Sequence, residues 1–291
     1  MANPPLRAAV WMIGAIVSFS AMAVAGRAVS FELDTFELLL YRSLIGIVIV
    51  LAVARFAGTV GQINTLHFPT HLIRNTCHFI GQNLWYFALT AIPLAQVFAL
   101  EFTSPLWVIA LSPLLLGERL TRVRVLAGIT GFIGVLIVAQ PSPDTLSWGL
   151  GAAALSAICF AGTAIFTQKL TRHTTLTNIL FWLVVMQAVF GLICAGYDGD
   201  IQLPSSVTAP WLMLIGTAGL LAHFCVTKAL TIAPASTVMP FDFVRLPLIA
   251  IVGALFYSEP LNMYVFIGAA IIFLANTITI RASVQEHSAK W

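Results

Sequence analysis

Residues 88–120 read ALTAIPLAQVFALEFTSPLWVIALSPLLLGERL, and residues 229–261 read ALTIAPASTVMPFDFVRLPLIAIVGALFYSEPL. The second stretch repeats the first about 141 positions later: Ala88/Ala229, Leu89/Leu230, Thr90/Thr231, Pro93/Pro234, Val97/Val238, Phe102/Phe243, Leu114/Leu255, Glu118/Glu259 and Leu120/Leu261. Glu101 stands where the second copy has Asp242, an acid kept in a run that otherwise has no use for one. A period near half the chain length marks a duplicated unit. Each copy reads as a helix end, a proline-marked turn, a long apolar helix carrying one buried acid, and a turn with a glutamate. The boundary falls between residues 1–141 and 142–291.

Composition selects the solvent. Apolar residues make up 59% of the chain and charged residues only 9%, with mean hydropathy +0.97. A soluble domain carries about a quarter charged residues, so this chain is built for lipid. Apolar runs of about 20 residues are long enough to cross a bilayer, and in hydrocarbon they must be helical to satisfy the backbone. Spans are expected near 8–28, 36–54, 72–90, 95–116, 123–140, 147–168, 176–196, 209–229, 235–257 and 261–280. The expected fold is therefore an all-α membrane protein with ten transmembrane helices, and the first span is retained because no cleavage pattern follows it.

Charge orients the spans. Arg7, Arg55, Arg74, Arg119, Arg122, Arg124, Lys169, Arg172, Lys228, Arg281 and Lys290 fall in alternate segments on one side, whereas the other side holds Arg27 with a set of acids that includes Glu32 and Glu259. By the positive-inside rule both termini are cytoplasmic. Five spans per copy is an odd number, so the second repeat enters from the opposite side. Two inverted-topology repeats around a central cavity are the architecture of secondary transporters, which alternate access to a site between the halves.

The candidate site follows from polar groups that a bilayer tolerates only with a purpose. Arg42, Glu101, Asp242 and Arg245 lie within spans. Arg42 and Glu101 share a depth, which allows a pair between them, while Asp242 and Arg245 are one turn apart and can pair directly. Such charges either hold a substrate or neutralise one another as structure. Asn75, His78 and Gln82 form one stripe on the third span, continued by Trp85 and Tyr86. The stripe faces a wet cavity or serves as interhelical glue. Phe19-Ser20-Ala21 and Phe160-Ala161-Gly162 correspond under the repeat, and with Met22 they suit an apolar pocket wall. His223 is the weaker member, and Lys169 reads as a snorkelling marker. Gly128, Gly131 and Gly134 face Gly268, Ala269 and Ala275 in the duplicate, a small-residue seam within or between monomers. Cys77, Cys159, Cys194 and Cys225 have no metal-ligand spacing and read as small buried residues.

The sequence resembles the drug/metabolite transporter superfamily in its ten-helix form, two EamA-type repeats, through LLLGERL and LFYSEPL, the ALTAIPLAQ and ALTIAPAST turns, and Arg42 in LLLYRSLIG. Within it the chain is most similar to the YddG-type exporters of aromatic and other neutral amino acids. That resemblance implies export across a bacterial inner membrane by alternating access, with no cofactor, no metal and no nucleic acid. The substrate would be an amino acid with a large apolar or aromatic side chain. The zwitterion would sit on Asn75, His78, Gln82, Glu101 and Arg42, and the side chain among Phe19, Met22, Tyr86 and Phe160. Alternatives are a riboflavin-like or drug-like metabolite, or a membrane scaffold. An enzyme is disfavoured: neither H-E-x-x-H, nor G-x-S-x-G, nor the paired aspartyl motifs of intramembrane proteases occurs. A monomer suffices for this function, and a homodimer is compatible with it.

Overall fold

The structure, a computed structural model, describes residues 4–116, 122–140, 147–197, 199–232, 241–242 and 244–288. The turn with Glu118, the proline turn at Pro234 and the repeat positions Val238 and Phe243 lie outside the described residues. Among those described, every regular element is a helix. They are α1 (Pro4–Val29), α2 (Thr35–Phe56), α3 (Phe68–Ala91), α4 (Leu94–Glu101), α5 (Ser104–Leu116), α6 (Arg122–Ala139), α7 (Trp148–Thr171), α8 (Leu176–Ala195), α9 (Ala209–Ile232), α10 (Arg245–Tyr257) and α11 (Met263–Ser288), with one turn of 3-10 helix at Val60–Gln62.

Local chemistry sets several of these ends. Asp34 and Glu37 form a capping box at the start of α2: Phe36 N and Glu37 N donate to Asp34 Oδ1 at 2.7 and 2.8 Å, and Asp34 N donates to Glu37 Oε2 at 3.0 Å. That arrangement satisfies amide groups which a helix leaves orphaned. Ser147 and Thr175 cap α7 and α8 more simply, each side-chain oxygen accepting one amide, from Leu150 N and Asn178 N. Pro69 sits in the first turn of α3, where its missing N–H costs nothing.

Helices pair across the two halves. α1 packs along α9 and α3 along α7, while α2 lies on α8 and α6 on α11. Exchanging the two repeats maps the first pair onto the second and each of the others onto itself. This is what an inverted duplicate requires. The small-residue seam lies inside the chain, between α6 and α11. A Cβ on Gly134 would come within 3.0 Å of Gly268 O, and one on Gly268 within 2.6 Å of Gly134 O. The backbones meet there because neither residue has a side chain.

Among the described residues, five helices are long and apolar enough to cross a bilayer by themselves: Arg7–Val29, Thr35–Phe56, Trp148–Thr171, Leu176–Ala195 and Ala209–Val226. α3 has 24 residues, enough length, but carries too many polar groups to register. The fourth expected span is interrupted. α4 ends at Glu101, the chain turns through Phe102 and Thr103, and α5 starts at Ser104. α10 starts at Arg245, three residues after Asp242, the repeat partner of Glu101. Half-helices at mid-membrane are tolerated only where protein or a cavity covers their ends. α4 and α10 pack against each other.

Candidate functional site

The two breaks bring three charges together. Arg245 Nη2 lies 3.0 Å from Glu101 Oε1 and 3.0 Å from Asp242 Oδ2, and Trp85 Nε1 donates to Glu101 Oε2 at 2.9 Å. The rings of Phe19, Phe98 and Phe102 stand 4.8, 5.0 and 5.0 Å from the guanidinium carbon. Asp242 and Arg245 pair as their spacing allowed. Glu101 does not pair with Arg42, and this corrects the sequence reading. Depth along a helix fixes height but not direction around the bundle, and Arg245 reaches Glu101 from the facing break.

Arg42 instead lines a separate cavity, with Gln82 of α3, Gln187 of α8, and Gly216, Gly219 and His223 of α9. Among the described residues Arg42 has no carboxylate partner. Gly219 makes its position available: a Cβ there would lie 3.1 Å from Arg42 Nη2 and 3.4 Å from Met22 Sδ. The cavity volume is about 20 Å³, room for little more than one water. The carbonyl oxygens of Gln82 and Gln187 are buried without a hydrogen-bond donor. Both line a space that a guest could fill.

The stripe on α3 is longer than expected and mixed in role. His71, Arg74, Asn75, His78, Gln82, Trp85 and Tyr86 are all buried. Asn75 ties helices together: Arg74 Nη1 donates to its Oδ1 at 2.6 Å, its Nδ2 reaches Trp182 O at 3.2 Å, and Gln187 Nε2 donates to its backbone oxygen at 2.9 Å. Arg74, counted in the sequence among loop charges, is a buried member of the column and donates to Thr167 Oγ1 on α7 at 2.8 Å. His78 stands 6.0 Å from the Phe160 ring, with both ring nitrogens lacking a partner. Tyr86 is buried against Gly26 of α1, its hydroxyl unpartnered. Phe19 bridges the two centres, under Arg245 and edge-on to His223 at 5.6 Å. Lys169 lies over Phe166 at 5.3 Å, at the end of α7. The four cysteines are free thiols.

Sequence reasoning missed two features. Gln187 is a lone amide in the apolar run LTNILFWLVVMQAVFGLICA, and that isolation is the signal that could have found it. The second is a clamp at the end of the bundle where α1 meets α2. Arg27 pairs with Glu259 and donates to Leu89 O and to Ile92 O, the latter at 2.8 Å. Glu259 Oε2 accepts from Leu94 N at 2.9 Å, the first amide of α4. Tyr257 stacks on the guanidinium at 4.6 Å and donates to Val24 O at 3.3 Å. α1, α3 and α4 of one repeat are thereby fastened to the α10–α11 turn of the other.

Comparison with known proteins gives one consistent picture. The profile of the EamA-like transporter family matches residues 6–140 and 147–281, once for each half. The chain is 33% identical over 276 residues to a riboflavin transporter of Vibrio cholerae, covering 93% of this chain and 92% of that one. It is 25% identical over 280 residues to an S-adenosylmethionine uptake transporter of Rickettsia felis, covering 96% and 94%. A solved crystal structure shares its fold, with a TM-score of 0.66 at 16% identity over 97% of this chain and 98% of the other. The two sequence relatives are named for riboflavin and for S-adenosylmethionine uptake, where the YddG resemblance had led one to expect an amino-acid exporter.

Proposed function

The chain belongs to the EamA-like transporter family, and from that premise we propose that it carries a flavin-like solute across the bacterial inner membrane. The observation that carries this reading is the similarity to the riboflavin transporter along nearly the whole chain. The cavity supports it. Two glutamine amides, a guanidinium, Ser43 and His223 among apolar neighbours suit a planar, uncharged heterocycle with several amide-type groups. A phosphate-bearing solute asks for several convergent bases.

Transport follows from the architecture. Halves 1–141 and 142–291 rock about the central cavity, and each end opens in turn. With space for about one water, the cavity is too small for the solute as it stands, so the solute enters only as the halves part. The Arg27–Glu259 clamp joins the repeats at one end and must release when that end opens. The Lys/Arg asymmetry supports cytoplasmic termini, which puts the clamp on the outer face.

A second reading keeps the amino-acid substrate: Arg42, without a carboxylate partner among the described residues, would take the carboxylate of a zwitterion. Purified protein in liposomes, loaded with labelled riboflavin and challenged with S-adenosylmethionine, phenylalanine and methionine, separates the two. Riboflavin flux that phenylalanine and methionine leave unchanged is the expected result. Flux of phenylalanine without flux of riboflavin overturns the flavin reading and leaves the fold intact.

A further inference from the structure

We infer that two loops act as matched gate straps, one at each end of the bundle, which hold cavity helices of opposite repeats together and release in turn. This rests on the alternating-access reading, in which ties between the repeats must part at one end at a time. At one end, Glu37 Oε1 accepts from Gln202 N at 2.6 Å, and the Tyr41 hydroxyl donates to Gln202 O at 2.7 Å. At the other, Asn178 Oδ1 accepts from Asn64 N at 3.0 Å, and Trp182 Nε1 donates to Asn64 O at 2.7 Å. In both, an acceptor and a donor four residues apart on one helix face grip the N–H and the C=O of a single loop residue. Glu37 and Asn178 stand 141 positions apart, as do Tyr41 and Trp182, which is the spacing of the repeat. The two copies make the same grip with different residues.

Both grips cross from one repeat to the other. The loop with Gln202 leads into α9 and is held by α2, whereas the loop with Asn64 leads into α3 and is held by α8. These helices build the cavity: α2 supplies Arg42, α9 Gly219, α3 Gln82 and α8 Gln187. One strap therefore ties α9 to α2 and the other α3 to α8, each at the end where both helices of the pair begin. A solute passing at one end needs that strap slack while the other holds. Both are closed in this structure, whose cavity has room for about one water. Each loop has a second tie nearby, Ser205 to Glu32 at the first end and Thr177 to Thr59 at the second. Removing one hydrogen bond thus loosens a strap without freeing it.

Tyr41→Phe and Trp182→Phe each remove the donor to the loop carbonyl and keep an aromatic ring. Each is made in the full-length chain carrying Leu220→Cys, which puts a thiol in the cavity wall. A membrane-impermeant maleimide is applied to either face of vesicles of known sidedness. Labelling is counted over the same chain without Leu220→Cys, which retains the four native thiols. Tyr41→Phe should speed labelling from the face of the α8–α9 loop alone, and Trp182→Phe from the opposite face alone. One lost hydrogen bond sets the gain at about two- to tenfold. Should Trp182→Phe not fold, the Tyr41→Phe arm decides by itself. Acceleration from both faces, from the wrong face or from neither overturns the straps and leaves alternating access standing. A Leu220→Cys chain with both straps intact that is labelled from neither face overturns alternating access, and the straps fall with it.

Discussion

Two polar centres sit on either side of Phe19 and are satisfied in opposite ways. At the helix breaks, Glu101, Asp242 and Arg245 answer one another, with Trp85 closing the remaining carboxylate oxygen of Glu101. One helix away, Arg42 faces a cavity with two glutamine oxygens that have no donor. On the proposed function the first centre is read as scaffold and the second as site. Charges that neutralise each other inside the fold tie the end of α4 to the start of α10, although Asp242 Oδ1 and Arg245 Nε are left without a hydrogen-bond partner. Donors and acceptors left open in a cavity are stable only when water or substrate completes them.

The sharpest way to break that comparison is to unbalance the first centre. Arg245→Leu leaves two carboxylates facing each other with no cation, and breaking a buried pair costs about 3–5 kcal/mol. The variant should express poorly and unfold at markedly lower temperature in detergent. The neutral triple change Glu101→Gln/Asp242→Asn/Arg245→Gln should recover much of that stability, since no buried charge then lacks a partner. A stable Arg245→Leu protein that has lost transport would move this centre from scaffold to site.

How much of this was legible can be argued residue by residue. The ten-span pattern was visible because apolar length is a property of the sequence itself, and the duplication because Glu101 and Asp242 are conspicuous in apolar runs. The break of the fourth span was not, although Pro105 falls in the first turn of α5 and Pro247 in that of α10, where a missing N–H is harmless. Partner choice was illegible for a physical reason. Arg42 and Arg245 lie at depths that both allow Glu101, and only the crossing of helices decides. Arg74 misled because an arginine one turn and a half into a helix reads as a loop marker until its guanidinium is seen to reach Thr167. The clamp was half-visible: Arg27 and Glu259 were placed in the same layer, but nothing local said that they touch.

The clamp supplies an intermediate case, paired like the first centre but obliged to separate. Glu259→Gln keeps an oxygen for Leu94 N and removes the charge opposite Arg27, which retains its two carbonyl acceptors. A hydrogen bond to a charged group contributes about 1.5–3 kcal/mol, so a loss at the lower end of that range is expected in thermal unfolding. A cysteine replacing Leu220, which also lines the cavity, should react faster with a thiol reagent applied from the clamp's side. Unchanged labelling would mean that the clamp is structural and does not gate.

At the second centre the effect should appear in transport rather than in stability. Arg42 is half-buried and has no carboxylate to leave stranded, so Arg42→Gln should shift unfolding by no more than an ordinary surface change, about 0.5 kcal/mol. Initial rates in liposomes should fall about tenfold, equivalent to roughly 1.4 kcal/mol of lost binding. A large loss of stability with transport per folded molecule intact would reverse the assignment of the two centres.

The smallest effect belongs to a charge that never left water, and it sets the lower limit of the comparison. Glu32, in the turn between α1 and α2, accepts from Ser205 Oγ at 2.7 Å, from Ser205 N at 2.6 Å and from Thr208 Oγ1 at 3.0 Å. The hydroxyl of Ser205 above all holds its carboxyl below the ordinary 4.5; loss of solvation works against it, and the Ser205 amide and the Thr208 hydroxyl add to the lowering. These bonds favour the ionised form in the folded chain more than in the unfolded one. Their stabilising contribution is therefore complete above the unfolded value and fades as pH falls through the lowered one. Glu32→Gln titrates nowhere in that range. The difference in melting temperature between native and variant protein should be steady from about pH 7 down to about pH 5 and then shrink on further acidification. A difference that grows with acid would mean that the carboxylate is held in its protonated form, and the turn would then be a buried contact rather than a solvated one.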